Sequence, residues 1–133
     1  MATEVSLMTA QDAPLSQVAS TLSAFSKSNA SRPRLVIITQ GASSTLVSSS
    51  SPSPSSSNLK ATDENPKTYP VPKLARDKII DTNGAGDMFA GGFLGALALG
   101  KDLDEAIGVG HRLGQMCCGQ IGPKLDFPKV KVL

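Results

Sequence analysis

Tryptophan is absent, tyrosine occurs once, and aromatics make up only 4% of the 133 residues. A core here must rest on Leu, Ile, Val, Ala and closely packed Gly. No run of about 18 apolar residues occurs, which excludes an apolar membrane-spanning helix. No basic segment followed by an apolar run opens the chain, so a secretory signal is not expected, and residence in the cytoplasm, or also the nucleus, is. The net charge is +2 and the Lys and Arg residues are scattered, which excludes a basic nucleic-acid-binding patch. The two cysteines, Cys117 and Cys118, are adjacent, which fits neither a disulfide framework nor a zinc site. They read as buried thiols. Neither Gly-x-x-x-x-Gly-Lys-Ser/Thr nor Gly-x-Gly-x-x-Gly is present, which excludes the P-loop and the dinucleotide fingerprint.

What is present reads as one α/β domain. The spacing of Leu15, Val18, Leu22 and Phe25 predicts a helix over 12–27, capped by Asp12 with Pro14 in its first turn. The β-branched run 34–39 predicts a strand buried on both faces, as in a sheet covered by helices. Gln40 and Gly41 turn the chain, and Thr45–Val47 returns as a second strand. Eight serines and two prolines fill positions 48–57, a composition that cannot bury apolar surface, so 48–58 is expected to be a mobile surface loop. Pro70 and Pro72 restrict any strand over 67–73 to an edge. Residues 78–80 read as another short strand.

That strand runs into Asp81-Thr-Asn-Gly-Ala-Gly-Asp87, and a helix follows to about Leu99, stopped by Gly100. Gly91, Gly92 and Gly95 lie inside it, each costing about 1 kcal/mol relative to Ala. Close approach of another backbone or a ligand would account for them. A last helix starts at Asp102 with the capping pair Asp102 and Glu105, and Leu103, Ala106, Ile107, Gly110, Leu113 and Cys117 mark its inner face.

Strand, glycine-rich turn, helix is the geometry of an anion site. The first N–H groups of a helix lack intrahelical partners, and the helix dipole places partial positive charge beside them. Glycine lets a phosphate reach those groups. Asp87 then falls in the first turn. As a dipole-stabilising acid it would contribute about 0.3–1 kcal/mol. As a general base it would stand where a transferring phosphoryl group meets an acceptor hydroxyl.

The heptad 81–87, followed by Met-Phe-Ala-Gly-Gly-Phe-Leu94, resembles the C-terminal signature of the ribokinase-like (PfkB) carbohydrate and nucleoside kinases. Asn83 is the form most similar to the adenosine-phosphorylating branch of that family. Ile38-Thr-Gln-Gly41, Gly110-His111 and Leu125-Asp-Phe127 add to the resemblance, which covers roughly 34–127. It implies the C-terminal part of a three-layer α/β fold with a mostly parallel sheet and covering helices, occupying 1–133, with the family's N-terminal part and lid absent.

The resemblance also implies roles. Asp87 would be the base that activates a 5′-hydroxyl. The N–H groups of Gly84, Ala85 and Gly86 would form an anion hole for the γ-phosphoryl of ATP. Thr39, Gln40, Gly41, Asn83 and His111 would border the ATP, with Mg²⁺ bridging its phosphates mostly through water. Asp81, and Glu4 as part of an Asn-x-x-Glu element whose Asn position Met1 occupies, would be metal-side carboxylates. The implied reaction is phosphorylation of adenosine to AMP, in purine salvage, by a protein monomeric at full length. This chain reads as a truncated, internally started or incomplete form with weak or no activity alone. A lone helical His is equally at home in a core, and Thr39–Gly41 as a plain strand-end turn. A sugar or another nucleoside as acceptor, and a non-catalytic nucleotide-binding fragment, remain the alternatives.

Overall fold

The computed structural model describes residues 13–29, 33–50 and 66–125. Glu4, the cap expected at Asp12, the serine-rich stretch beyond Ser50 and the Asp126–Phe127 tail lie outside the described residues. In chain order the elements are α1 (Leu15–Ala24), β1 (Leu35–Thr39), β2 (Ser44–Ser49), β3 (Lys67–Pro70), a single 3₁₀ turn (Arg76–Lys78), α2 (Ala85–Ala98) and α3 (Leu103–Cys118). No described helix is long and apolar enough to cross a membrane.

The α/β class is as expected. The described strands form one sheet in the order β1-β2-β3, and both pairings are antiparallel. The mostly parallel part of the expected sheet is therefore not among them. The reason is local: Gly41, at φ +57°, turns the chain tightly enough for β2 to fold straight back on β1, with Leu35 opposite Ser49 and Thr39 opposite Thr45. The central strand β2 is buried from Thr45 through Ser48, while β1 is an edge strand and only half-buried. Ser48 and Ser49, expected in the loop, belong to β2, and the Ser48 hydroxyl is hydrogen-bonded to that of Ser23 in α1 at 2.9 Å.

That contact explains a second difference. The expected apolar stripe of α1 does not face the sheet: Leu15, Leu22 and Phe25 are exposed, and Ala19 and Ser23 are buried instead. Small side chains one turn apart let the helix sit close to the sheet. Residues 78–80 do not form the expected strand either. The N–H groups of Ile80 and Asp81 both donate to the Cys118 carbonyl, at 2.8 and 3.3 Å, so this segment is tied to a helix end rather than to a sheet.

Most of the core lies between α2 and α3. Phe89, Phe93 and Ala96 of α2 pack with Leu103, Ala106, Ile107 and Val109 of α3, and Val47 closes the cluster from β2. The capping box at Asp102 and Glu105 is formed, with Glu105 N–H donating to the Asp102 carboxylate at 2.8 Å. Lys67 of β3 donates to Asp104 in the first turn of α3 at 2.9 Å, and Tyr69 donates to the same carboxylate.

Glycine explains how closely the helices approach. A Cβ on Gly92 would stand 2.6 Å from Leu113, and one on Gly110 would stand 2.8 Å from the Phe89 ring and 3.0 Å from its carbonyl. Gly91 and Gly95 face open space, so the expectation of close approach holds within these described contacts at Gly92 alone of the three. His111 is buried beside Phe89, with ring centroids 5.5 Å apart, and its Nε2 lies 2.9 Å from the Thr45 hydroxyl. Burial holds its pKa below the ordinary 6.5.

Two stability measurements check this packing. Gly110→Ala should destabilise the fold by about 1–3 kcal/mol in urea unfolding, the cost of overpacking against an aromatic ring. Gly95→Ala should leave stability unchanged or raise it by up to about 1 kcal/mol. Equal effects would contradict the packing. For His111, the unfolded chain takes up a proton first as pH falls, because the folded-state pKa is the lower one. Its contribution is intact above 6.5 and is lost as pH falls below that value toward the folded-state pKa. The urea midpoint should therefore decline between pH 7 and 5, and His111→Gln should flatten that decline. A variant with the wild-type slope would place the titration elsewhere.

Candidate phosphate site at the start of α2

The route from the 3₁₀ turn into α2 is set by two carboxylate bonds. Asp81 Oδ1 accepts from the N–H of Asn83 at 2.9 Å, which closes a tight Asx turn, and Oδ2 accepts from the N–H of Gly122 at 3.2 Å. Gly84 then takes φ +79°, a left-handed conformation that other residues adopt at a cost. A Cβ there would also meet the Pro123 ring at 3.0 Å. Glycine is required at this position on both counts.

The first turn of α2 is open. Ala85 N–H donates to Thr82 O at 3.3 Å and Met88 N–H donates to Gly84 O at 2.9 Å. Between them, the N–H groups of Gly86 and Asp87 have no hydrogen-bond partner among the described residues. Gly86 is exposed, and nothing lies within 4 Å of where its Cβ would be. The Asp87 side chain is exposed as well, with no hydrogen bond or ion pair among the described residues. Two unpartnered amides at a helix N-terminus, with clear access and an adjacent free carboxylate, can hold an anion and take a proton beside it.

Two other segments hold this loop, α3 and the turn that follows it. Cys117, fully buried on α3, donates its thiol to the Asn83 carbonyl at 3.2 Å. Burial, with help from the charges of Asp81 and Asp87 and from Cys118, pushes the Cys117 pKa up, so the thiol keeps its proton. The turn after α3 is itself braced by the Gln120 side-chain amide, which donates to the carbonyls of Gly122 and Lys124 at 3.1 and 2.6 Å.

The structure thus gathers Asp81, Asn83, Gly84, Ala85, Gly86 and Asp87 into one feature. Thr39, Gln40 and Gly41 sit apart from it, in the β1–β2 turn, where Ser43 N–H donates to Gln40 O at 3.1 Å and the Gln40 amide donates to Ser44 at 3.1 Å. No hydrogen bond joins the two groups among the described residues. His111 lies between them, bonded to Thr45, the partner of Thr39 in the sheet, and packed on Phe89 of α2. Thr45, Cys117, Gly122 and Pro123 were not singled out as site residues. Cys117 alone had a signal, its place on the inner stripe of α3.

The acidic side chains do not assemble a metal cage. Among the described residues no group of three His, Cys, Asp or Glu side chains could hold an ion, and both Asp81 oxygens already accept backbone N–H bonds. A protein-held Mg²⁺ does not fit what is described. An anion at Gly86 and Asp87 does.

Residues 2–130 match the pfkB family carbohydrate kinase description. The chain is 45% identical over 119 residues to an adenosine kinase of Schizophyllum commune, covering 90% of this chain and 32% of that protein. It is 42% identical over 113 residues to the adenosine kinase of Schizosaccharomyces pombe, covering 85% of this chain and 29% of that protein. Among solved structures, adenosine kinase from Schistosoma mansoni in complex with 2-fluoroadenosine superposes with a TM-score of 0.70 at 29% identity, over 83% of this chain and 29% of that one. Anopheles gambiae adenosine kinase in complex with P1,P4-di(adenosine-5) tetraphosphate gives 0.68 at 34% identity, over 81% of this chain and 28% of that one. The chain spans about a third of the length of these relatives. Its fold is that of a ribokinase-like α/β protein, and with residues 2–130 matched the chain belongs to the pfkB family of carbohydrate kinases.

Proposed function

We propose that this chain carries the phosphoryl-donor end of an ATP-dependent adenosine kinase, forming AMP from adenosine. The observation that carries the reading is the pair of unpartnered amides at Gly86 and Asp87 beside a free Asp87 carboxylate. Donors fixed before the reaction stabilise charge that develops on the transferring phosphoryl group. Asp87 takes the proton of the acceptor hydroxyl as its oxygen attacks the γ-phosphorus, and ADP leaves. Mg²⁺ bound to the ATP would supply neutralisation of phosphate charge, with no cluster of described side chains to hold it.

Adenosine as acceptor, and AMP formation as a salvage step, rest on the likeness to adenosine kinases of fungi, plants and animals. The ligand in the Anopheles relative, P1,P4-di(adenosine-5) tetraphosphate, joins two adenosines through four phosphates. The chain spans about a third of the length of such proteins, and turnover by these 133 residues alone is expected to be weak or absent.

Gly86→Val tests the anion site with little disturbance of packing, because nothing outside the helix's own backbone lies within 4 Å of where its Cβ would stand. MgATP affinity should fall about tenfold or more, the loss of a charge-assisted hydrogen bond, with an unchanged unfolding midpoint. Wild-type affinity would remove the loop from the site. In an active full-length context Asp87→Asn should lower kcat by roughly 10²–10⁴, as for a lost general base, with ATP affinity nearly kept. A variant with normal turnover would remove Asp87 from the chemistry.

A further inference from the structure

A regular α-helix pairs each N–H with the carbonyl four residues back. For Asp87 that carbonyl belongs to Asn83, and for Gly86 it belongs to Thr82. Neither pair forms. Thr82 O accepts from Ala85 N–H instead, a tighter bond that uses the carbonyl one residue early. Asn83 O accepts from the Cys117 thiol, which comes from a different helix, 34 residues along the chain. The Asp87 amide, which one more turn of helix could have absorbed, is left without a hydrogen-bond partner among the described residues.

The left-handed Gly84 lets the Asn83 peptide turn away from the helix axis, and the thiol gives its oxygen a partner there. Without that partner the part-buried Asn83 carbonyl would turn to another donor, and the Asp87 amide is the nearest alternative by sequence. A carbonyl has two lone pairs, so occupation alone would not exclude a second donor. What the thiol controls is direction: it aims the oxygen at α3, away from Asp87. The retained proton on Cys117 keeps it a donor across the neutral range.

We propose that Cys117 is a positioning residue for phosphoryl-group binding: by holding the Asn83 carbonyl against α3, its thiol keeps the Asp87 backbone N–H free for the phosphate. Asp81, Gly122 and Pro123 fix the other side of the same loop, so the Asn83 peptide is gripped from the end of α3 on both flanks. The assignment extends the phosphate-site reading and rests on it.

The test compares Cys117→Ala and Cys117→Ser with Ile107→Val in the full 133-residue chain. Ile107 is a core residue of the same helix, in the cluster with Phe93 and Val109, and its truncation reports general loosening of α3. Two readouts are needed: exchange of the Asp87 amide with solvent, followed by NMR without ligand, and affinity for MgATP. In Cys117→Ala the Asp87 amide should recapture the Asn83 carbonyl. Its exchange should slow by at least about tenfold, and MgATP affinity should fall by about tenfold, the loss of one charge-assisted hydrogen bond. Cys117→Ser, which keeps a donor, should restore both toward wild type. Ile107→Val should change neither. Unchanged exchange in Cys117→Ala, or an equal response in Ile107→Val, overturns the assignment. If the exchange pattern is as expected but no protein, wild type included, binds MgATP, Cys117 still governs the amide and the phosphate-site reading is what fails.

Discussion

The chain enters α2 through a peptide held so that it does not continue the helix backwards. Gly84 is left-handed, Asn83 has its carbonyl drawn toward α3, and Asp81 spends both carboxylate oxygens on backbone N–H groups on either side of the turn. From that constraint the open amides at Gly86 and Asp87 follow directly. Any helix has four orphan donors at its start, and a side-chain cap absorbs one or two of them. Here no side chain caps the helix, in contrast to α3, where Asp102 and Glu105 cap each other's backbone. One helix start is sealed and the other is held open.

The packing of the two helices serves the same end. α3 reaches the loop only because it lies close along α2, and that closeness depends on Gly110 under the Phe89 ring and Gly92 under Leu113. Buried Ile107 and Ala106 fix its rotation, which brings Cys117, three turns further along, to face Asn83. The sheet is joined to this pair through Val47 in the core, the Thr45–His111 bond, and the Lys67 and Tyr69 contacts with Asp104. Stability and site geometry are therefore coupled through α3.

The site was legible in the sequence where chemistry and backbone geometry coincide. Glycine at 84 and 86, a carboxylate at 87 and a strand-like lead-in already implied an anion-binding helix start, and the capping box of α3 was readable from two residues. The apolar spacing of α1 misled, because it carries no information about which side of a helix a small residue such as Ala19 can bring closest to a sheet. Residues 78–80 have strand-like composition, yet their hydrogen bonds go to the Cys118 carbonyl, a partner 38 residues from Ile80 that no local pattern reveals. Ser48 reads as part of a serine-rich loop, and only its pairing with Ser23 makes it a core residue. The contact from Cys117 to Asn83 is likewise tertiary: periodicity places the thiol on the inner face but cannot say which carbonyl it meets.

The central claim is that the amides of Gly86 and Asp87 receive the phosphate. The most direct measurement is a titration of the ¹⁵N-labelled chain with MgATP, following backbone amide shifts. The account predicts that the Gly86 and Asp87 resonances move most and saturate together. Largest shifts elsewhere, or none at these two amides at saturating nucleotide, would contradict it.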